Sequence, residues 1–135
     1  MNTTINKKMY FRLAVLFISI ALILPGSALA AHSTIKGTIA GANCIINDGI
    51  CPMKPGDPHL ALENDFVLST PEGKYYFMPN ITRTVKTSYI HKPVRVTGVV
   101  DGSSMVVSII EVKDGDNYKE VWNWKKIVAE LGRGN

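Results

Sequence analysis

Short runs of β-branched residues, broken by glycine, proline and Asx-type turns, constrain this chain most. Residues 33–40 carry Thr34, Ile35, Thr38 and Ile39 around Gly37, which suits a first strand that must bend. Residues 65–70 and 74–78 flank Pro71-Glu72-Gly73, where proline sets the early turn dihedral and glycine takes a left-handed one, so the two runs predict a hairpin. Val94, Val96, Thr97, Gly98, Val99 and Val100 predict a fourth strand, Asp101-Gly102 a turn and residues 105–112 a fifth strand. In the fifth, Val106, Val107, Ile109 and Ile110 are all apolar, which suits a strand covered on both faces.

Two helices are expected among these strands. Asn80 caps a short one over 81–89, before Pro93 returns the backbone to extended. Asn117-x-x-Glu120 has the form of a capping box and predicts a helix over about 117–131 that stops at Gly132. On it Val121, Trp124, Ile127, Val128 and Leu131 share one side, with Trp124 in the core and Trp122 on the flank. Residues 41–60 hold both cysteines, three prolines and three further glycines after Gly37, and read as a long connecting loop.

The N-terminus reads as an export segment. Lys7, Lys8 and Arg12 precede an apolar stretch over 13–24, followed by Pro25-Gly26 and the small residues Ala28-Leu29-Ala30. That order is a cleavable signal peptide over 1–30, with cleavage after Ala30. About a dozen apolar residues are too few for a membrane helix, which needs roughly 20, so no span is expected after cleavage. Of 15 basic residues, three lie in that segment, leaving 12 against 11 acids. A nearly neutral chain of about a hundred residues then remains, enough for one domain over 31–135 and without the positive field of a nucleic-acid binder. The expected location is the periplasm or the medium.

Cys44 and Cys51 both lie in the exported part, and an oxidising compartment favours a disulfide between them. Asn47-Asp48-Gly49 has the turn chemistry to bring the two together. The alternative is a copper or zinc site using Cys44, Cys51, His59 and His91, with Met53 or Met78 as thioether donors. Its spacing matches neither a C-x-x-C pair nor a zinc knuckle. C-type haem attachment, nucleophile elbows, H-E-x-x-H and phosphate loops are all absent, so no enzyme is expected.

Strand, loop, hairpin, helix, hairpin is the strand order of an OB-fold. Gly37-Thr-Ile, Gly73-Lys-Tyr-Tyr-Phe, Val94-Arg-Val-Thr-Gly98 and Ile109-Ile-Glu-Val112 resemble small exported bacterial OB-fold proteins of unknown function. The expected fold is accordingly mostly β: a five-stranded OB-like barrel (β-β-β-α-β-β) over about 33–112, with an added C-terminal α-helix. The resemblance implies a binding or accessory protein, probed first at His59, Tyr76 and Trp122, for a periplasmic protein or a small ligand. A monomer without cofactor is expected. Tyr75, Tyr76 and Phe77 with Arg83, Lys86, Lys92 and Arg95 are the residues an OB-fold would turn toward nucleic acid, which export argues against.

Overall fold

The computed structural model describes residues 32–133; the expected signal peptide over 1–30 and its expected cleavage position lie outside them. Strand β1 (His32–Gly41) leads into helix α1 (Ala42–Asn47) and a 3-10 turn (Pro58–Leu62); then come β2 (Phe66–Ser69), β3 (Tyr75–Phe77) and helix α2 (Arg83–Ser88). The chain ends with β4 (Pro93–Asp101), β5 (Ser104–Asp114), β6 (Asn117–Asn123) and helix α3 (Trp124–Leu131).

The strands make one six-stranded sheet in the order β3-β2-β1-β4-β5-β6, with every neighbour antiparallel. The long strand β1 serves two partners: His32 to Thr38 pair with β4, and Thr38 to Gly41 pair with β2. Gly37 sits where this hand-over occurs. A Cβ on it would lie 2.2 Å from the carbonyl oxygen of Ser69, so the close approach of β1 and β2 requires glycine there. One parallel bridge, Phe77 to Ser104, joins the edge strand β3 to β5. Next to it Asn80 donates through Nδ2 to the Val107 carbonyl at 2.7 Å and accepts the Val107 N–H on Oδ1 at 2.9 Å. The side chain thereby continues, on the edge of β5, the pairing that β3 begins.

The inner face buries Ile39, Phe66, Leu68, Met78, Val94, Val96, Met105, Val107 and Ile110 completely or nearly so. The strands expected at 33–40, 65–70, 74–78, 94–100 and 105–112 are thus present, with somewhat different ends.

Several expectations are corrected. The helix expected over about 117–131 is a strand followed by a shorter helix, because Gly115, at φ 59°, turns β5 back into β6 as a hairpin. Tyr118, Val121 and Trp122 have the β preference to fill that strand. The cap is Asn123, whose Oδ1 accepts from the N–H groups of Lys125 and Lys126, and not Asn117. Trp124, expected in the core, is 46% exposed, and α3 buries none of its residues. Asn80 does not cap α2, whose N-cap residue is Thr82. Finally, the connection after β1 is not a plain loop, since it contains α1 and the 3-10 turn.

Candidate functional site

The excursion between β1 and β2 is where sequence chemistry and geometry converge. Helix α1 is only six residues long and has no local side-chain cap. Its first N–H groups are served from a distance: Asn43 N donates to Glu63 Oε2 at 2.6 Å and Cys44 N to Glu63 Oε1 at 3.2 Å. Glu63 is buried, and a carboxylate against orphan helix N–H groups is the arrangement that satisfies both. The space for it exists because residue 41 is glycine; a Cβ there would lie 2.1 Å from Glu63 Oε1.

The disulfide Cys44–Cys51 closes the next stretch, with the two Cα atoms 4.9 Å apart. Asp48 ends α1 in the left-handed conformation, φ 51°, and Gly49 N donates back to the Asn43 carbonyl. Beyond the bridge, Pro52 is fully buried and its carbonyl meets His91 Nε2. Asp57 organises the segment from Met53 to His59: it accepts the N–H of Met53 at 3.0 Å and of His59 at 2.9 Å, and lies 2.8 Å from His59 Nδ1. Those contacts, the Met53 N–H foremost and then the His59 N–H and ring, favour the carboxylate and hold its pKa down to about 2.

Helix α2 fastens the far end of the excursion. Arg83 donates through Nη1 to the Glu63 carbonyl at 2.9 Å and through Nη2 to that of Leu60, and its guanidinium stacks 4.8 Å over the Phe66 ring. Lys86, almost fully buried, reaches Asp65 Oδ1 at 2.6 Å. Against this fastened backbone the apolar side chains point outward: Ile50 is 64% exposed, Met53 71% and Leu62 63%, with Ile46 also exposed.

The residues singled out from sequence fall differently. Cys44 and Cys51 form the disulfide and are not a pair of thiolates. His59 is held by Asp57 and His91 by Pro52, and among the described residues no group of three or more His, Cys, Asp or Glu is placed to hold a metal ion. Tyr76 packs against the core, while Tyr75 and Phe77 meet edge to face on the opposite side of β3. Trp122 also packs against the core and stacks on Trp124 with ring centres 6.2 Å apart. The basic residues that an OB-fold would turn toward nucleic acid have partners within the fold: Arg83 and Lys86 as described, Arg95 in a two-point pair with Glu111, Lys92 over Tyr89. Arg95 also lies 4.6 Å over Tyr118. The pair keeps the Glu111 carboxyl below its ordinary range and raises the Arg95 guanidinium.

Sequence reasoning assigns no such roles to Glu63, Asp57, Ile50, Met53 or Leu62. Asp57-Pro58-x at the head of a turn carries a readable signal, since aspartate accepts from N–H groups two residues on and proline suits the first helical position. Glu63 carries none, because its partners lie about 20 residues away. Comparison with protein-family models, with curated proteins and with solved structures returns no match for this chain.

Proposed function

We propose that the chain is an exported, non-enzymatic binding protein. It presents the excursion over residues 42–65 to an apolar surface on another protein of the cell envelope. The observation that carries this reading is the pairing of exposure with rigidity. Ile50, Met53 and Leu62 are each more than 60% exposed on a backbone held by a disulfide, by Glu63, by Asp57 and by Arg83. Large apolar side chains fixed toward solvent lose little entropy when they are covered, which favours binding. Export is supported by the signal pattern over 1–30 and by the disulfide.

The scaffold for this loop is an OB-like barrel. Support comes from β1 pairing with both β2 and β4, from the β3–β5 bridge, and from α2 between β3 and β4. Strand β6 and α3 are additions to it.

The test is site-specific photocrosslinking in living cells, with the reactive residue placed at Ile50, at Met53 and, as control, at Lys113 on β5. The reading expects discrete adducts of one mass at positions 50 and 53, none at 113, and their loss when Cys44 and Cys51 are both replaced by Ser. No adduct at either loop position, or adducts equally at 113, would overturn it. Intact mass of the chain recovered from the periplasm checks export, with Ala31 as the expected first residue and the mass two hydrogens light.

A further inference from the structure

A second apolar surface lies away from the excursion and has a different character. Helix α3 carries Trp124, Ile127, Val128 and Leu131 at the i, i+3, i+4, i+7 spacing of one face, yet Trp124 is 46% exposed, Val128 47% and Leu131 72%. An amphipathic helix in a folded domain ordinarily buries that stripe; here it faces outward. The surface continues onto the sheet. Val106, 54% exposed, lies opposite Val99, which lies opposite His32, and Ile109 lies opposite both Thr97 and Asn123. Between sheet and helix runs a cleft of about 400 Å³ lined by His32, Ile109, Trp124 and Lys125 among others.

We propose that this face docks the domain on an anionic phospholipid bilayer, with α3 lying in the headgroup layer. Two observations select that occupant. First, Lys126 is paired with Glu120, and Lys125 and Arg133 still outnumber Glu130 on and just beyond the helix, so the exposed apolar stripe is accompanied by net positive charge. Lysines beside tryptophan and leucine are the composition of interfacial helices. Second, area disfavours a second copy. A helix of eight residues is about 12 Å long and about 10 Å across, so even with Val106 and Ile109 beside it the face presents on the order of a few hundred Å². A stable protein interface takes roughly 800 Å² from each partner. A bilayer needs no matching surface.

The two tryptophans of the chain, 122 and 124, adjoin this face and none occurs elsewhere. Fluorescence of the full chain therefore reports on this face, and a variant substituted on α3 alone controls for binding through the apolar stretch over 13–24. With Trp122→Phe leaving Trp124 as reporter, fluorescence is measured on vesicles of phosphatidylethanolamine and phosphatidylglycerol with brominated acyl chains, and on brominated phosphatidylcholine vesicles. The expected result is a blue shift and quenching on the anionic vesicles, both lost in Val128→Asp with Leu131→Asp. Partitioning should fall roughly five-fold for each of Lys125→Gln and Lys126→Gln. Three results would overturn the proposal: unquenched Trp124, quenching equal on both lipids, or quenching that survives the two aspartates. A Trp124 emission that shifts with protein concentration in the absence of vesicles would instead make the face a contact between copies.

Discussion

Glu63 Oε2 accepts the backbone N–H of Asn43 at 2.6 Å, so a carboxylate at one end of the β1–β2 excursion caps a helix at the other. The same side chain takes the Cys44 N–H, next to the disulfide. Glu63→Ala leaves two helix N–H groups without that acceptor in a buried setting, at a cost of about 1–3 kcal/mol. Glu63→Gln keeps one good acceptor and should cost about half as much. Gly41→Ala should equal or exceed the alanine effect, because its Cβ occupies the place of the carboxylate. Urea midpoints at constant m-value check the series; an unmoved midpoint in Gly41→Ala would show that the carboxylate has room elsewhere.

Truncation of Trp124 separates a docked helix from an exposed one. With nearly half its surface in water and no residue of α3 buried, Trp124→Ala should lower stability by less than about 1 kcal/mol, whereas a buried aromatic costs about 3–5 kcal/mol. Phe66→Ala, at a fully buried position, supplies the comparison. Equal urea midpoints for the two variants would contradict the exposure of α3.

The strands, the β2–β3 hairpin and the disulfide are legible in the sequence because each rests on neighbours in the chain: β-branched runs, Pro71 and Gly73, two cysteines seven apart. The stretch over 117–123 is not. Val121 and Trp124 fit a helical period as well as a strand, and Asn117-x-x-Glu120 imitates a cap; the pairing of β6 with β5 outweighs the helical pattern. From Trp124 onward the apolar stripe is where its periodicity places it, but amphipathicity says which residues share a face and not what covers it. The candidate site is legible in outline, through the cysteines and His59. Its exposed side chains acquire meaning only because Glu63, Arg83 and His91 pin the backbone from positions far along the chain.

Asn80 offers a sharper test of how β3 is joined to β5. Its amide donates to the Val107 carbonyl and accepts the Val107 N–H, a pairing that needs one donor and one acceptor on the same side chain. Asn80→Asp keeps the shape and replaces the donor with an ionised oxygen facing a carbonyl. The expected loss is about 1–3 kcal/mol at neutral pH, recovered in part at a pH low enough to protonate the aspartate. Asn80→Ala should show no such recovery. Thermal melts of the two variants at neutral and acid pH distinguish them, and a pH-independent deficit in Asn80→Asp would argue against a direct pairing with Val107.

The Asp57 carboxylate makes the shape of the excursion depend on pH in a calculable direction. Its pKa is held at about 2, from an ordinary 3.8, chiefly by the Met53 N–H and then by the His59 N–H and ring. A carboxyl whose folded pKa is depressed binds fewer protons folded than unfolded, so its stabilisation is complete above about pH 4 and is lost as the pH falls toward 2. The backbone amides of Met53 and His59 donate to this group, so their chemical shifts should titrate together with a midpoint near 2. In Asp57→Asn the titration should disappear. Crosslinking from Met53 should also weaken in that variant, because the N–H that positions residue 53 would then face a neutral acceptor. A midpoint close to 3.8 in the wild-type chain would mean that the two N–H groups do not favour the carboxylate over the acid, and that Asp57 does not hold the 53–59 segment.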